Sequence, residues 1–294
     1  MRTELEDLRL LSVHAHPDDE ASKGSSLVAR YVEQGVGATL VCCTGGELGE
    51  VLNPAMDRPE VHADLAGVRL AELEKSAAII GYDRVDLLGY RDSGMPDMEG
   101  NADPTNFANA PFDEAVGKLV GIIRRDRPQV IITYSDDQGG YPHPDHLKVH
   151  DITVPAFERA GDPAWYPEVG EPYTPLKLYY TVWSHARVLA LHEAFLRLGL
   201  KSPYDQKWLD RFGQDERITT RVFVRDHYGV RKASLLAHAT QVDPTSPFWF
   251  GLPDDVAADA WPYDDYILAA SRVATTLPEA DLFAGVAHLP TMAS

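Results

Sequence analysis

The stretch that most constrains the fold is "QVIITYS" (129–135), an apolar run that follows Pro128 and is too short to be a helix. A run of this kind buries both faces, which a strand does only inside a sheet covered on both sides. "LRLLSVHA" (8–15), "ATLVCCT" (38–44) and "RVDLLGY" (84–90) read as further strands. Helical periodicities lie between and after them, at 25–35, 66–81, 112–128 and 143–161. Leu27, Val28, Tyr31 and Val32 share one face of the first, and Leu70, Leu73, Ala77 and Ile80 one face of the second, which Gly81 ends. The βα alternation predicts an α/β fold: a Rossmann-like, mostly parallel sheet with helices on both faces. Ligands of such sheets collect beyond the carboxyl ends of the strands.

Past residue 160 the alternation loosens. "KLYYTVWS" (177–184) and "ITTRVFV" (218–224) read as strands, and 186–200 and 228–241 as helices, which predicts a smaller C-terminal α+β portion. The expected division is a catalytic core at 1–160 and a portion at 161–294 that completes the substrate pocket, as one continuous unit. The aromatic-rich stretches 161–175 and "PFWFGLP" (247–253) are expected either to wall that pocket or to serve as lid and core packing. The last residues, 274–294, read as a loosely held tail.

The net charge of −18, from 27 basic and 45 acidic residues, argues against a nucleic-acid surface. No run approaches 18 apolar residues, so no membrane partner is expected. The start, "MRTELEDLRLL", lacks a signal-peptide layout, and a cytoplasmic location is the expectation. The two cysteines, Cys42 and Cys43, adjoin inside a predicted strand and are expected to be buried; a cysteine-based zinc site is excluded by their number.

Two loops carry the chemistry. "HAHPDDE" (14–20) follows the first strand and "GGYPHPDH" (139–146) follows "QVIITYS", so a parallel sheet delivers both to one edge. His16 and Asp19 can turn toward one point, and His146 can complete the set. Two imidazoles, one carboxylate and an open position are a catalytic zinc arrangement. Asp18 is the surplus carboxylate, either a general base for water or the N-cap of the following helix. His14, on the strand itself, is expected to pack rather than ligate. "GGELGE" (45–50) lacks the Lys and Ser/Thr of a phosphate loop, so Gly45 and Gly46 read instead as permitting close backbone approach.

"HAHPDDE" paired with "PHPDH" resembles the LmbE/PIG-L superfamily of zinc-dependent deacetylases, and the similarity runs through most of the chain. Within it, "LNPAMD" (52–57), "VGEPYTPLKLYY" (169–180), "LLAHATQVDP" (235–244), "DLFAGV" (281–286) and Lys23 in "SKG" resemble the actinobacterial branch that hydrolyses mycothiol S-conjugates. A sister branch deacetylates N-acetylglucosaminyl-inositol, the mycothiol precursor; it and related N-acyl-glucosaminide amidases of secondary metabolism are the alternatives. The resemblance implies Zn2+ (or Fe2+) on His16, Asp19 and His146. It implies Asp18 as general base, His143 as the group that stabilises the oxyanion and leaving amine, with Asp145 able to orient it, and Tyr141 as carbonyl polariser. The implied ligand is a small thiol-conjugate pseudo-disaccharide, with Lys23, Glu50, Arg69 and Asp92 on the substrate side, and His238 and Gln241 either there or in support behind it. Read from the residues alone, Arg69 is also suited to a helix-surface pair with Glu72 or Asp64, and Asp92 to capping a turn. "TYSDDQGGY" (133–141) departs from the family form and is one residue longer.

Overall fold

A computed structural model describes residues 7–138, 141–210 and 213–286. The apolar runs of the first half become four parallel strands: β1 (Arg9–His14), β2 (Gly37–Thr44), β3 (Arg84–Tyr90) and β4 (Val130–Tyr134). β5 (Lys177–Val182) continues the parallel set beside β4. β6 (Thr220–Phe223) and β7 (Tyr263–Ser271) complete a seven-stranded sheet in the order β3-β2-β1-β4-β5-β7-β6, with β7 antiparallel to both its neighbours. Every residue of β4 is buried, whereas edge strand β3 is partly exposed.

The helices between strands are α1 (Asp19–Ser22), α2 (Ser25–Glu33), α3 (Pro59–Ala63), α4 (Leu65–Ile80), α5 (Phe112–Asp126), α6 (Pro144–Arg159), α7 (His185–Arg197), α8 (Gln206–Leu209), α9 (Tyr228–Ala237), α10 (Pro247–Phe250) and α11 (Asp254–Ala260). Alternate residues of the central strands feed two cores. Leu11, Val13, Val41 and Ile131 meet α5 and α6 on one face. Leu10, Val130, Ile132 and Tyr179 meet α2 on the other. No helix among the described residues is long and apolar enough to cross a membrane.

The chain winds outward from β1 to β3, then returns to place β4 on the other flank of β1. β1 and β4 therefore border the point where the winding direction reverses, the crevice in which open α/β sheets hold ligands. The two motif loops leave from these two strands.

Three expectations need correction. β7 carries the acidic pair Asp264–Asp265 and was not anticipated as a strand; both carboxylates are buried and matched, Asp264 by Arg231 and Asp265 by Ser184, Arg221 and Trp261. The expected helix over 228–241 ends at Ala237. The supposed tail is docked up to residue 286: Leu282, Phe283 and Val286 lie in the core, and the remainder, 287–294, lies outside the described residues.

The docked segment is held by Glu279, which accepts from Lys177 Nζ at 2.5 Å and from Tyr179 Oη at 2.6 Å, all buried. Removing one partner of such a pair leaves an uncompensated buried charge. Glu279→Ala is expected to cost about 3–5 kcal/mol in urea unfolding, and the double replacement Lys177→Met/Glu279→Leu to recover most of it.

Candidate active site

The site begins where β1 runs out. After Ala15 the backbone turns, and the His16 N–H donates to Asp19 Oδ2 at 3.0 Å. Asp18 stands at φ 125°, a region that side-chain-bearing residues rarely adopt and that costs about 1–3 kcal/mol. It precedes α1 in the cap position, yet its carboxylate caps no backbone N–H. That carboxylate instead accepts from Arg69 Nη2 at 3.2 Å.

His16, Asp19 and His146 converge as the motif spacing suggests. Asp19 Oδ2 lies 3.5 Å from His16 Nδ1 and 3.5 Å from His146 Nε2, and all three residues are buried. Bonds of about 2.0–2.2 Å to a tetrahedral ion set its ligand atoms about 3.3–3.6 Å apart, so the donor set fits a zinc-type ion. The far nitrogen of His16 completes the fit: Nε2 meets Asp145 Oδ2 at 3.1 Å, the carboxylate–histidine support that orients metal-ligating imidazoles. A second group of potential donors, His16, Asp92, His143 and Asp145, shares His16. Asp145 there is already saturated by the Ser93 N–H at 2.9 Å, the Ser93 hydroxyl and His16, which favours the first group.

The electrostatics of His146 and Asp19 suit ligation, whereas His16 is held above the ordinary imidazole range: burial works against this, but Asp145, Asp19 and Asp92 outweigh it. Burial pushes His146 down to about 3, so its ring is neutral and can ligate. Asp19 is held well below the usual carboxylate range: burial works against this, but the Lys23 ammonium leads the groups that outweigh it. Lys23 Nζ sits 2.5 Å from Asp19 Oδ1, the oxygen turned away from the two histidines. Asp18 is raised by burial, with Arg69 opposing. His143 Nδ1 accepts from the Asp145 N–H at 3.2 Å, which leaves the proton of the neutral ring on Nε2. Burial and the neighbouring His16 lower His143, which keeps that ring neutral.

These residues border one cavity of about 640 Å³. Tyr141, Lys23, Glu50, Arg69, Asp92 and Gln241 also line it, and His238 does not. Tyr141 is half exposed, its ring 5.4 Å from that of His146; the preceding Gly139 and Gly140, in the lengthened loop, lie outside the described residues. Asp92 caps a turn through Gly94 N at 2.8 Å, one of its two expected uses, and also faces His16 Nε2 at 3.5 Å.

The structure narrows four expectations about these residues. Arg69 makes no surface pair: it is buried and donates to the carbonyls of Gly46 and Pro17, both at 2.6 Å, as well as to Asp18. Gly46, at φ 66°, makes room for it, since a Cβ there would collide with the guanidinium. The Asp145 side chain braces His16 rather than His143. His238 is fully buried, its Nε2 2.6 Å from Glu20 Oε1, because it follows the end of α9 instead of projecting from it. Finally, 161–175 packs over α5, where Arg124 donates to the carbonyls of Asp162, Trp165, Tyr166 and Gly170, so it does not wall the cavity. The far wall comes from Phe248 and Trp249, as the sequence suggests, and from Val182, Trp183 and Trp208, which sequence reasoning missed. Trp183 could have been found as the residue just past a strand end. His14 packs against Tyr134, and Cys42 and Cys43 are buried, as expected.

The family profile of the GlcNAc-PI de-N-acetylase PIG-L matches residues 11–157. The mycothiol S-conjugate amidase of Streptomyces coelicolor is 46% identical over 96% of this chain and 98% of its own. The 1D-myo-inositol 2-acetamido-2-deoxy-alpha-D-glucopyranoside deacetylase of Geodermatophilus obscurus is 38% identical over 95% and 98%. Among solved structures, the N,N'-diacetylchitobiose deacetylase of Pyrococcus horikoshii superposes with a TM-score of 0.60 at 14% identity, covering 88% of this chain and 83% of that one. The 4-carboxy-2-hydroxymuconate hydratase of Pseudomonas putida KT2440 gives 0.61 at 16% identity, covering 92% and 99%. A hydratase on the same fold means that architecture alone does not define the reaction. The site and the relatives together define a hydrolase of linear amide bonds, of the amidase and deacetylase class. The chain belongs to the PIG-L/LmbE family.

Proposed function

We propose that this enzyme hydrolyses the amide of mycothiol S-conjugates, releasing an N-acetylcysteine S-conjugate and glucosaminyl-inositol. The observation that carries this reading is the aromatic wall facing the His/Asp cluster. Trp183 and Phe248 lie parallel with ring centroids 5.9 Å apart, and Trp249 meets Phe248 edge-on at 4.9 Å. An acetyl group needs no such surface, whereas the variable apolar substituent of a thiol conjugate does. The amidase relative supports the same choice.

His16, Asp19 and His146 would hold a divalent cation, zinc or iron(II), whose Lewis acidity acidifies water and favours negative charge on oxygen. Asp18, beside this set and open to the cavity, accepts the proton of the attacking water. Arg69 keeps its carboxylate aimed by binding Oδ2. The Nε2–H of His143 and the hydroxyl of Tyr141 are the donors for the oxyanion of the tetrahedral species, and the proton that Asp18 took from water goes to the departing amine, which His143 stabilises. Glu50, Arg69, Asp92 and Gln241 offer hydrogen-bonding groups to the sugar and cyclitol hydroxyls. Lys23, which balances Asp19, stands at the rim as a selectivity element.

The test is a side-by-side assay of metal-reconstituted protein on a mycothiol S-conjugate with an aromatic substituent and on N-acetylglucosaminyl-inositol. A higher kcat/KM on the conjugate is expected; equal or faster turnover of the acetylated sugar would sink the proposal. Trp249→Ala is expected to lower kcat/KM for the aromatic conjugate about tenfold, the equivalent of about 1.4 kcal/mol of aromatic contact, and to spare the acetylated sugar.

A further inference from the structure

Asp18 is held in an unfavourable backbone conformation by a group that never reaches the cavity. Glu20 is fully buried two residues along, and its Oε2 accepts from the Asp18 N–H at 3.0 Å. Its other oxygen, Oε1, is fixed from behind by the Ser76 hydroxyl at 2.5 Å and by His238 Nε2 at 2.6 Å. Both anchors are fully buried, Ser76 on α4 and His238 just past α9. Arg69 holds the same turn from the opposite side through the Pro17 carbonyl and Asp18 Oδ2. The turn at φ 125° is thus gripped at the N–H, at the preceding carbonyl and at the carboxylate.

We infer that Glu20, anchored by His238 and Ser76, is a positioning residue for Asp18 that keeps its carboxylate aimed at the attacking water. This rests on the reading of Asp18 as general base. A residue in an unfavourable φ region persists only where its surroundings over-determine it, and such conformations concentrate at working sites. Without the Glu20 acceptor, the Asp18 N–H loses its partner and the turn can relax to an ordinary φ, carrying the carboxylate away. His16, Asp19 and His146 hold their geometry through other contacts, namely Asp145 and Lys23. Glu20 therefore bears on the step and not on the metal.

The experiment measures kcat, KM and bound metal for Glu20→Ala, Glu20→Gln, Asp18→Asn and the double variant Asp18→Asn/Glu20→Ala, on whichever of the two assay substrates turns over faster. Glu20→Ala is expected to lower kcat about 10–100-fold, the usual effect of removing a supporting group, with KM and metal content at wild-type values. Glu20→Gln is expected to recover most of that loss, because the amide oxygen can accept from Asp18 while the amide nitrogen faces Ser76 and His238. The two losses are expected not to add, so the double variant matches Asp18→Asn. Should Glu20→Ala fail to fold, Ser76→Ala leaves the His238–Glu20 pair in place and is expected to lower kcat in the same way at unchanged KM. Loss of metal, a rise in KM equal to the fall in kcat, or full additivity with Asp18→Asn would make Glu20 a general scaffold and overturn the inference, as would an unchanged kcat in both Glu20→Ala and Ser76→Ala. A slow Asp18→Asn beside an unimpaired Glu20→Ala removes the positioning role alone. Wild-type turnover by Asp18→Asn removes the base and the positioning role together.

Discussion

Asp18→Asn is expected to lower kcat by about 10²–10⁴-fold, the range a general base contributes, with bound metal unchanged. Asparagine suits the test for two reasons. It is nearly isosteric with aspartate, and it is among the residues that best tolerate positive φ, so the turn at 125° survives. Its amide oxygen can still accept from Arg69 Nη2, which preserves the buried guanidinium's environment. What it cannot do is take a proton at neutral pH. Metal analysis together with single-turnover rates separates the possibilities: a slow, fully metallated variant supports the base, and a fast one eliminates it.

The second large effect concerns the cation. His146→Ala removes one of three converging donors, and the gap it leaves beside Asp19 Oδ2 cannot be filled by a neighbour. His143 is committed through Nδ1 to the Asp145 N–H, and Lys23 repels a cation. Bound metal is expected to fall well below one per chain. Losing about 4 kcal/mol of charge stabilisation with it corresponds to about a thousandfold in rate. Chelator treatment of the wild type should reproduce the loss, and zinc or iron(II) should restore it in the wild type alone. A fully active His146→Ala variant with a full complement of metal would refute the three-residue site.

The alternation of strands and helices was legible because parallel strands buried on both faces are built mainly of apolar residues, so β1, β2 and β4 read as apolar runs. β7 was illegible for the converse reason. Its Asp264 and Asp265 are neutralised by Arg231 and Arg221, which are remote in sequence, and the pairing exists only after folding. The convergence of His16, Asp19 and His146 followed from strand-end positions plus parallel order, both of which a sequence carries. The second layer did not follow. Asp145 adjoins His143 along the chain but turns to His16, because Ser93 and His16 lie on the face that the first turn of α6 presents. Arg69 looks like a surface position on α4 until the glycines at 46 and 49 are seen to make room for it. His238 could be read as either a substrate-side or a supporting group because its helix was drawn four residues too long.

The groups assigned to chemistry, from His16 to His146, hang from the ends of β1 and β4, whereas the aromatic wall hangs from β5 and the segments after it. Bond breaking and acyl-group choice are thus written in separate stretches of the gene. Substitutions at Trp183, Trp208, Phe248 and Trp249 can re-tailor the acceptable acyl group, provided His238, which anchors Glu20 behind Asp18, is kept. A lineage built on this plan can inherit its catalyst intact and diversify only its taste in substrates.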